Sequence, residues 1–157
     1  MTQKSQLQSA GDGTAVPSGY VGERKISSAS TNITLSTSVS DIGLSFTLEP
    51  GEWIVGYRAS VYLNNPTGSS ATNSVNLIIT DGNNVAISRS GSDISIQNQP
   101  ASNATSPIIP VQCEVPLTVT ANQTVKLRGF RANVSANTSL LHDDIYRITM
   151  LYARRIA

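Results

Sequence analysis

The stretch SFTLEPGEWIVGYRASVYL, Ser45 to Leu63, alternates apolar and polar residues in two runs broken only at Pro50-Gly51. Ahead of the break, Leu44, Phe46 and Leu48 fall on one side and Ser45, Thr47 and Glu49 on the other. Beyond it, Trp53, Val55, Tyr57, Ala59, Val61 and Leu63 share a face opposite Ile54, Gly56, Arg58, Ser60 and Tyr62. Side chains on a strand change face at every residue, so this pattern predicts a long strand with one face in a core. Trp53, Val55 and Tyr57 are its expected core anchors. Pro50-Gly51 predicts a tight turn that joins the two runs as a hairpin and sets their register.

The same reading extends outward. SVNLIITD places Val75, Leu77 and Ile79 on one side, DGNN (Asp81 to Asn84) reads as a hairpin turn, and NVAISRS reads as its return strand. GSDISIQNQ is a further short strand. VQCEVPLTVT carries Val111, Cys113 and Val115 on a core face, ANQ turns into TVKLRGFRANV, and IYRITMLYARRI ends the series. RKISSAS and TNITLSTSV are short strands near the start, while NNPTGSS, PASNATSPIIP and SANTSLLHDD read as loops. Roughly eight to ten strands with turn signals about every eight to twelve residues, and no convincing helical period, predict an all-β sandwich of jelly-roll type. An immunoglobulin-type sandwich is the alternative, and the missing Cys…Trp…Cys pattern weakens it. Residues 1–22 have no period and are punctuated by Gly11, Gly13, Pro17 and Gly19, so they read as an extended N-terminal arm. Residues 23–157 form the sandwich domain.

Composition agrees with a folded sheet protein. Hydrophobic residues make up 39% and charged residues 13% of the 157 residues, and 22 Ser, 15 Thr and 12 Asn fill the gap. Disorder would bring high net charge and few β-branched residues. Here the net charge is +1, and Val, Ile and Thr recur at period 2. There is no basic run, so no nucleic-acid partner is expected. The pair Arg154-Arg155 reads as a solvated end. No stretch approaches the about 18 apolar residues of a membrane helix, and MTQKSQLQSAGDG lacks the apolar core of a signal peptide. A single cysteine, Cys113, excludes an intrachain disulfide and fits folding in a reducing cytoplasm.

The residues that could carry chemistry are few. His142 lies beside Asp143 and Asp144 in a loop, but a divalent metal needs three or more converging ligands, and adjacent residues on a strand would diverge. Cys113 would need a positioned base to act as a nucleophile, and its alternation puts it with the core. No G-x-S-x-G or phosphate-binding glycine loop is present. Five N-x-S/T sequons, at Asn32, Asn103, Asn122, Asn133 and Asn137, carry no weight in a chain so rich in these residues. Tyr20 and Tyr62 could stack on a sugar, although tyrosine on a strand is ordinarily sheet packing. No enzyme activity, catalytic residue, metal or cofactor is therefore expected.

Three stretches taken in order give a resemblance. GDGTAVPSGYVGE (Gly11 to Glu23), FTLEPGEWIVGYRASVYL and the terminal YRITMLYARRIA resemble small all-β domains of tailed bacteriophages, found at tail-fibre tips and in related virion surface proteins. Such domains show a G-x-x-V-P-x-G-x-x-G-E opening, an L-x-P-G-x-W hairpin and an A-R-R-I-like last strand. The resemblance implies a non-enzymatic virion structural protein, made in the host bacterial cytoplasm and displayed on the virion surface. It implies a compact homotrimeric knob used in host attachment, with a host surface glycan as a potential partner. Ile54 and Tyr62, on the second face of the long strand, are then candidates for the trimer contact. Tail fibres carry a long shaft ahead of the knob, whereas only about 20 polar residues precede this sandwich. That departure raises the alternative of a capsid decoration protein clamped to the shell through its arm.

Overall fold

The structure, a computed structural model, describes residues 19–62, 73–88, 90–96, 108–132, 139–141 and 148–157. Among them are ten strands and no helix: β1 (Arg24–Ser28), β2 (Ile33–Thr34), β3 (Ser40–Leu48), β4 (Gly51–Tyr62), β5 (Asn73–Asp81), β6 (Ser92–Ile96), β7 (Ile108–Val119), β8 (Gln123–Ala132), β9 (Ser139–Leu141) and β10 (Met150–Arg155). The larger sheet runs β7–β4–β10–β1, and the short β9 and β2 continue it beside the far end of β4. The smaller sheet runs β3–β8–β5–β6. Every pairing is antiparallel.

The pairing order defines the fold. With β2 and β9 set aside, the first strand pairs with the last, β1 with β10. Moving inward, β3 pairs with β8, β4 with β7, and β5 with β6. This is one long hairpin rolled into two facing sheets, which is a jelly roll. The core lies between the sheets. Trp53, Val55, Tyr57, Ala59 and Val61 from β4 are fully buried, and they face Val75, Leu77 and Ile79 of β5 and Val125 and Leu127 of β8. The Val, Leu and Ile side chains among them each contribute about 1.5–3 kcal/mol on burial. The Tyr57 hydroxyl bridges the sheets, hydrogen-bonding Ser92 Oγ and donating to the Leu77 carbonyl at 3.5 Å.

Several local expectations are corrected. Pro50-Gly51 does not close a hairpin: β3 pairs with β8, β4 pairs with β7, β9 and β10, and the turn carries the chain from one sheet to the other. Alternation fixes which face of a strand is apolar, and two strands facing each other across a core alternate just as two paired strands do. NVAISRS is not a return strand: among its described residues only the single bridge Thr80–Ala86 forms. The turn itself is present, with the Asp81 carboxylate accepting the amides of Asn83 and Val85 and Asn84 at a φ of 67°. Beyond it the Ser90 hydroxyl donates to the Ile79 carbonyl and accepts its amide, standing in for a strand partner. Ile108–Pro110 belong to β7 rather than to a loop, and β9 lies within the segment read as the loop SANTSLLHDD. Residues 1–18 of the expected arm lie outside the described residues.

Candidate functional site

Two clusters of side chains stand out, one inside the sandwich and one on it. The first forms where the three recognisable motifs meet. Arg155, the last residue of β10, lies across from Trp53 and points inward with only 7% of its surface exposed. Its guanidinium carbon sits 4.8 Å from the Trp53 ring centroid, within cation–π range. Arg155 Nη1 donates to the Pro50 carbonyl at 2.9 Å, and Nε lies 3.3 Å from Glu23 Oε2 without hydrogen-bond alignment, so that contact is Coulombic. Glu23 is 3% exposed, accepts the Gly19 amide at 2.7 Å and pairs with Lys25 at 3.0 Å. Burial pushes the Glu23 carboxyl up, but the Gly19 amide and the Lys25 and Arg155 cations outweigh it and hold it below the usual glutamate value.

Backbone bonds complete the knot. The Gly22 amide donates to the Arg155 carbonyl, the Arg155 amide to the Glu23 carbonyl, and the Glu52 amide to the carbonyl of Ala157. Trp53 Nε1 donates to the Glu49 carbonyl at 3.0 Å. Glycine suits position 51, where φ is 152° and a Cβ would come 3.0 Å from the Ala157 carbonyl and 2.6 Å from Arg155 Nη1. The pair Arg154-Arg155 is thus not a solvated end. Strand alternation sends Arg155 into the core, and the residue that neutralises it comes from the opposite end of the chain. The cluster is closed and internally paired, so its chemistry is that of a clasp.

The second cluster lies on the outer face of the larger sheet, in an open pocket of about 350 Å³. Register assembles it from four strands. Arg24 of β1, Arg154 of β10, Ile54 of β4 and Pro116 of β7 form one transverse row. Ile26, Tyr152, Gly56 and Glu114 form the next, and Ser28, Met150, Arg58 and Gln112 the third. The Tyr152 ring lies over Gly56, where a Cβ would meet the ring at 2.8 Å and the Cys113 carbonyl at 2.6 Å. From there the Tyr152 hydroxyl donates to Glu114 Oε1 at 2.8 Å. Burial, and then the Glu114 carboxylate, push the phenol up to about 12, so it stays protonated at neutral pH. The pocket wall carries three guanidiniums, of Arg24, Arg58 and Arg154, against the one carboxylate of Glu114.

The residues singled out in the sequence are scattered. Trp53, Val55 and Tyr57 are fully buried in the core. Ile54 is half-buried at the outer pocket, and Tyr62 is half-buried at the other end of β4 across from Ile108. Gly56, Arg58 and Ser60 separate them, so they do not form a continuous apolar strip. Cys113 is half-buried against the core, and burial, followed by the Glu114 charge, pushes its thiol up. Tyr20 is exposed beside the clasp. His142, Asp143 and Asp144 lie outside the described residues, as do the sequons at Asn103, Asn133 and Asn137. Among the described residues no three His, Cys, Asp or Glu side chains come together as metal ligands. The outer pocket was not foreseen. Its members come from distant strands, and only the strand register brings them together.

No protein-family model matches the chain, and no curated protein matches it. Solved structures give distant likenesses. The Eiger TNF structure from S. frugiperda is 10% identical with a TM-score of 0.42, over 83% of this chain and 94% of that one. The infectious bursal disease virus Gt strain is 12% identical with a TM-score of 0.36, over 87% of this chain and 38% of that one. The VP2 subviral particle of the same virus is 8% identical with a TM-score of 0.34, over 85% of this chain and 38% of that one. The chain therefore spans about 38% of the viral chains it matches. The jelly roll rests on the strand order itself.

Proposed function

We propose that this chain is a non-enzymatic structural protein of a tailed-bacteriophage virion, a trimeric surface knob of the tail-fibre-tip kind that takes part in host attachment. One observation supports this reading above the others. The three motifs that resemble such domains converge on a single clasp, in which Glu23 of the first, Pro50, Gly51 and Trp53 of the second, and Arg155 of the third contact one another. Motifs that satisfy one another's buried charges have a common physical reason to occur together. Subunit contact in this reading falls at the apolar cross-strand pair Tyr62 and Ile108, because Ile54 is ringed by arginines.

The test is the location and copy number of the chain in intact particles, with adsorption measured after its deletion. A few dozen copies or fewer on the tail, with lost adsorption, is the expected result. Hundreds of copies on the shell, with adsorption intact, would make it a capsid decoration protein instead.

A further inference from the structure

We propose that the outer pocket of the larger sheet binds an acidic sugar, its carboxylate taken by Arg24, Arg58 and Arg154 and its ring resting on Ile26, Ile54 and Tyr152. Within the attachment reading this names the ligand class, and the biological use of the site rests on that reading; the binding itself is a property of the purified chain.

The distribution of charge partners carries the inference. Among the described residues, Lys25 pairs with Glu23, Lys126 and Arg128 pair with Asp41, Arg155 pairs with Glu23, and Arg131 donates to the Leu35 carbonyl. The three remaining cations have no carboxylate within ion-pair distance among these residues, and all three line this one pocket. Two of them, Arg24 and Arg154, are direct cross-strand partners, an arrangement of like charges that costs stability. A fold that gives its other described cations a carboxylate or carbonyl partner and leaves these three together is preorganised for an anion. Guanidinium forks grip a carboxylate through two parallel hydrogen bonds.

The rest of the lining selects the kind of anion. Ile26 is 62% exposed, and with Ile54 and Met150 it offers an apolar surface that a bare phosphate would not use. Glu114 can accept from sugar hydroxyls. The volume suits one or two sugar rings. The other described cations have partners of their own, so among the described residues no basic track leads away from the pocket for a long polyphosphate to follow.

The test is calorimetric or NMR titration of the full chain with tetragalacturonate. Neutral maltotetraose, inorganic phosphate and a tetraglutamate peptide are the comparisons. Tetragalacturonate is expected to bind in a salt-sensitive manner, to shift the resonances of Gly56 and Tyr152, and to bind far more tightly than the other three. Arg58→Ala and Arg154→Gln should each weaken it about tenfold or more, as loss of a charge-assisted pair does. Both side chains face outward, and circular dichroism of each variant checks that it folds. No binding, or binding indifferent to both substitutions, overturns the site. Equal binding of phosphate or of tetraglutamate overturns the sugar assignment. The two readings fail separately: adsorption that needs the chain but tolerates Arg58→Ala sinks the site alone. Uronate binding by a chain whose deletion leaves adsorption intact sinks the attachment role alone.

Discussion

Arg154 and Arg155 are neighbours in sequence and opposites in setting. Arg155 is buried, stacked on Trp53 and neutralised by Glu23. Arg154 is exposed, faces Arg24 across the strand and has no carboxylate within ion-pair distance among the described residues. A single step along a strand separates a residue that holds the fold from one the fold presents. The same contrast divides the two clusters. The clasp spends its charges on one another and has nothing left for a ligand, whereas the outer pocket leaves three cations for a visitor.

The contrast predicts a graded set of outcomes. The largest effect is expected from Arg155→Ala, which takes the inward cation from the buried Glu23 carboxylate and the packing partner from the Trp53 ring. Denaturant unfolding should show a loss of about 3–5 kcal/mol, and a loss under about 1 kcal/mol would mean that the clasp is no more than a surface pair. Acid sharpens the same point. The Glu23 carboxyl lies below its ordinary value of about 4.3 in the folded state. Its contribution is therefore complete above that value and is lost as pH falls through the lower folded value. Thermal unfolding from pH 6 to pH 2 should show this limb. In Arg155→Met the limb should start at higher pH, because the Gly19 amide and Lys25 then hold the carboxylate down without the Arg155 cation.

Gly56→Ala comes next. Its Cβ would collide with the Cys113 carbonyl and the Tyr152 ring, and a cost of about 1–3 kcal/mol is expected. The outer-face Tyr152 resonances should move with it, and a silent substitution would show that the ring does not rest on that strand. Tyr152→Phe should cost only about 0.5–1.5 kcal/mol, for one hydrogen bond to Glu114. The phenol is raised to about 12 from an ordinary value of 10, so its contribution is complete below 10 and is lost as pH rises through 12. Ultraviolet titration of the variant should lack one late-ionising tyrosine. The smallest effect belongs to Arg154→Ala, where stability should stay within about 0.5 kcal/mol or rise slightly as repulsion with Arg24 is relieved.

The sequence exposed some of this and hid the rest for identifiable reasons. Alternation along Trp53 to Val61 separated the inward face from the outward one, because period 2 is a property of the strand alone. It could not say that β3 and β4 belong to different sheets, since that depends on partners far along the chain. Arg155 was misread from its charge, although the same alternation places it inward with Leu151 and Ala153. Nothing local announces that Glu23 will meet it. The pocket was hidden most completely. Arg24, Arg58, Glu114 and Tyr152 share no motif, and only the rows of the folded sheet make them neighbours.

The prolines of β7 have a consequence for how copies of this chain can meet. β7 borders the larger sheet, pairing with β4 from Gly51 to Tyr62, and Pro110 and Pro116 sit within that ladder. A proline keeps its place in a ladder only with its nitrogen turned to the open side. Two of the donors that a neighbouring strand would need are therefore missing along that border. Another copy arriving edge-on at β7 finds a broken comb, which disfavours extension of the sheet across this border. Along this border, contacts through side chains remain open to a neighbouring copy where backbone pairing is hindered.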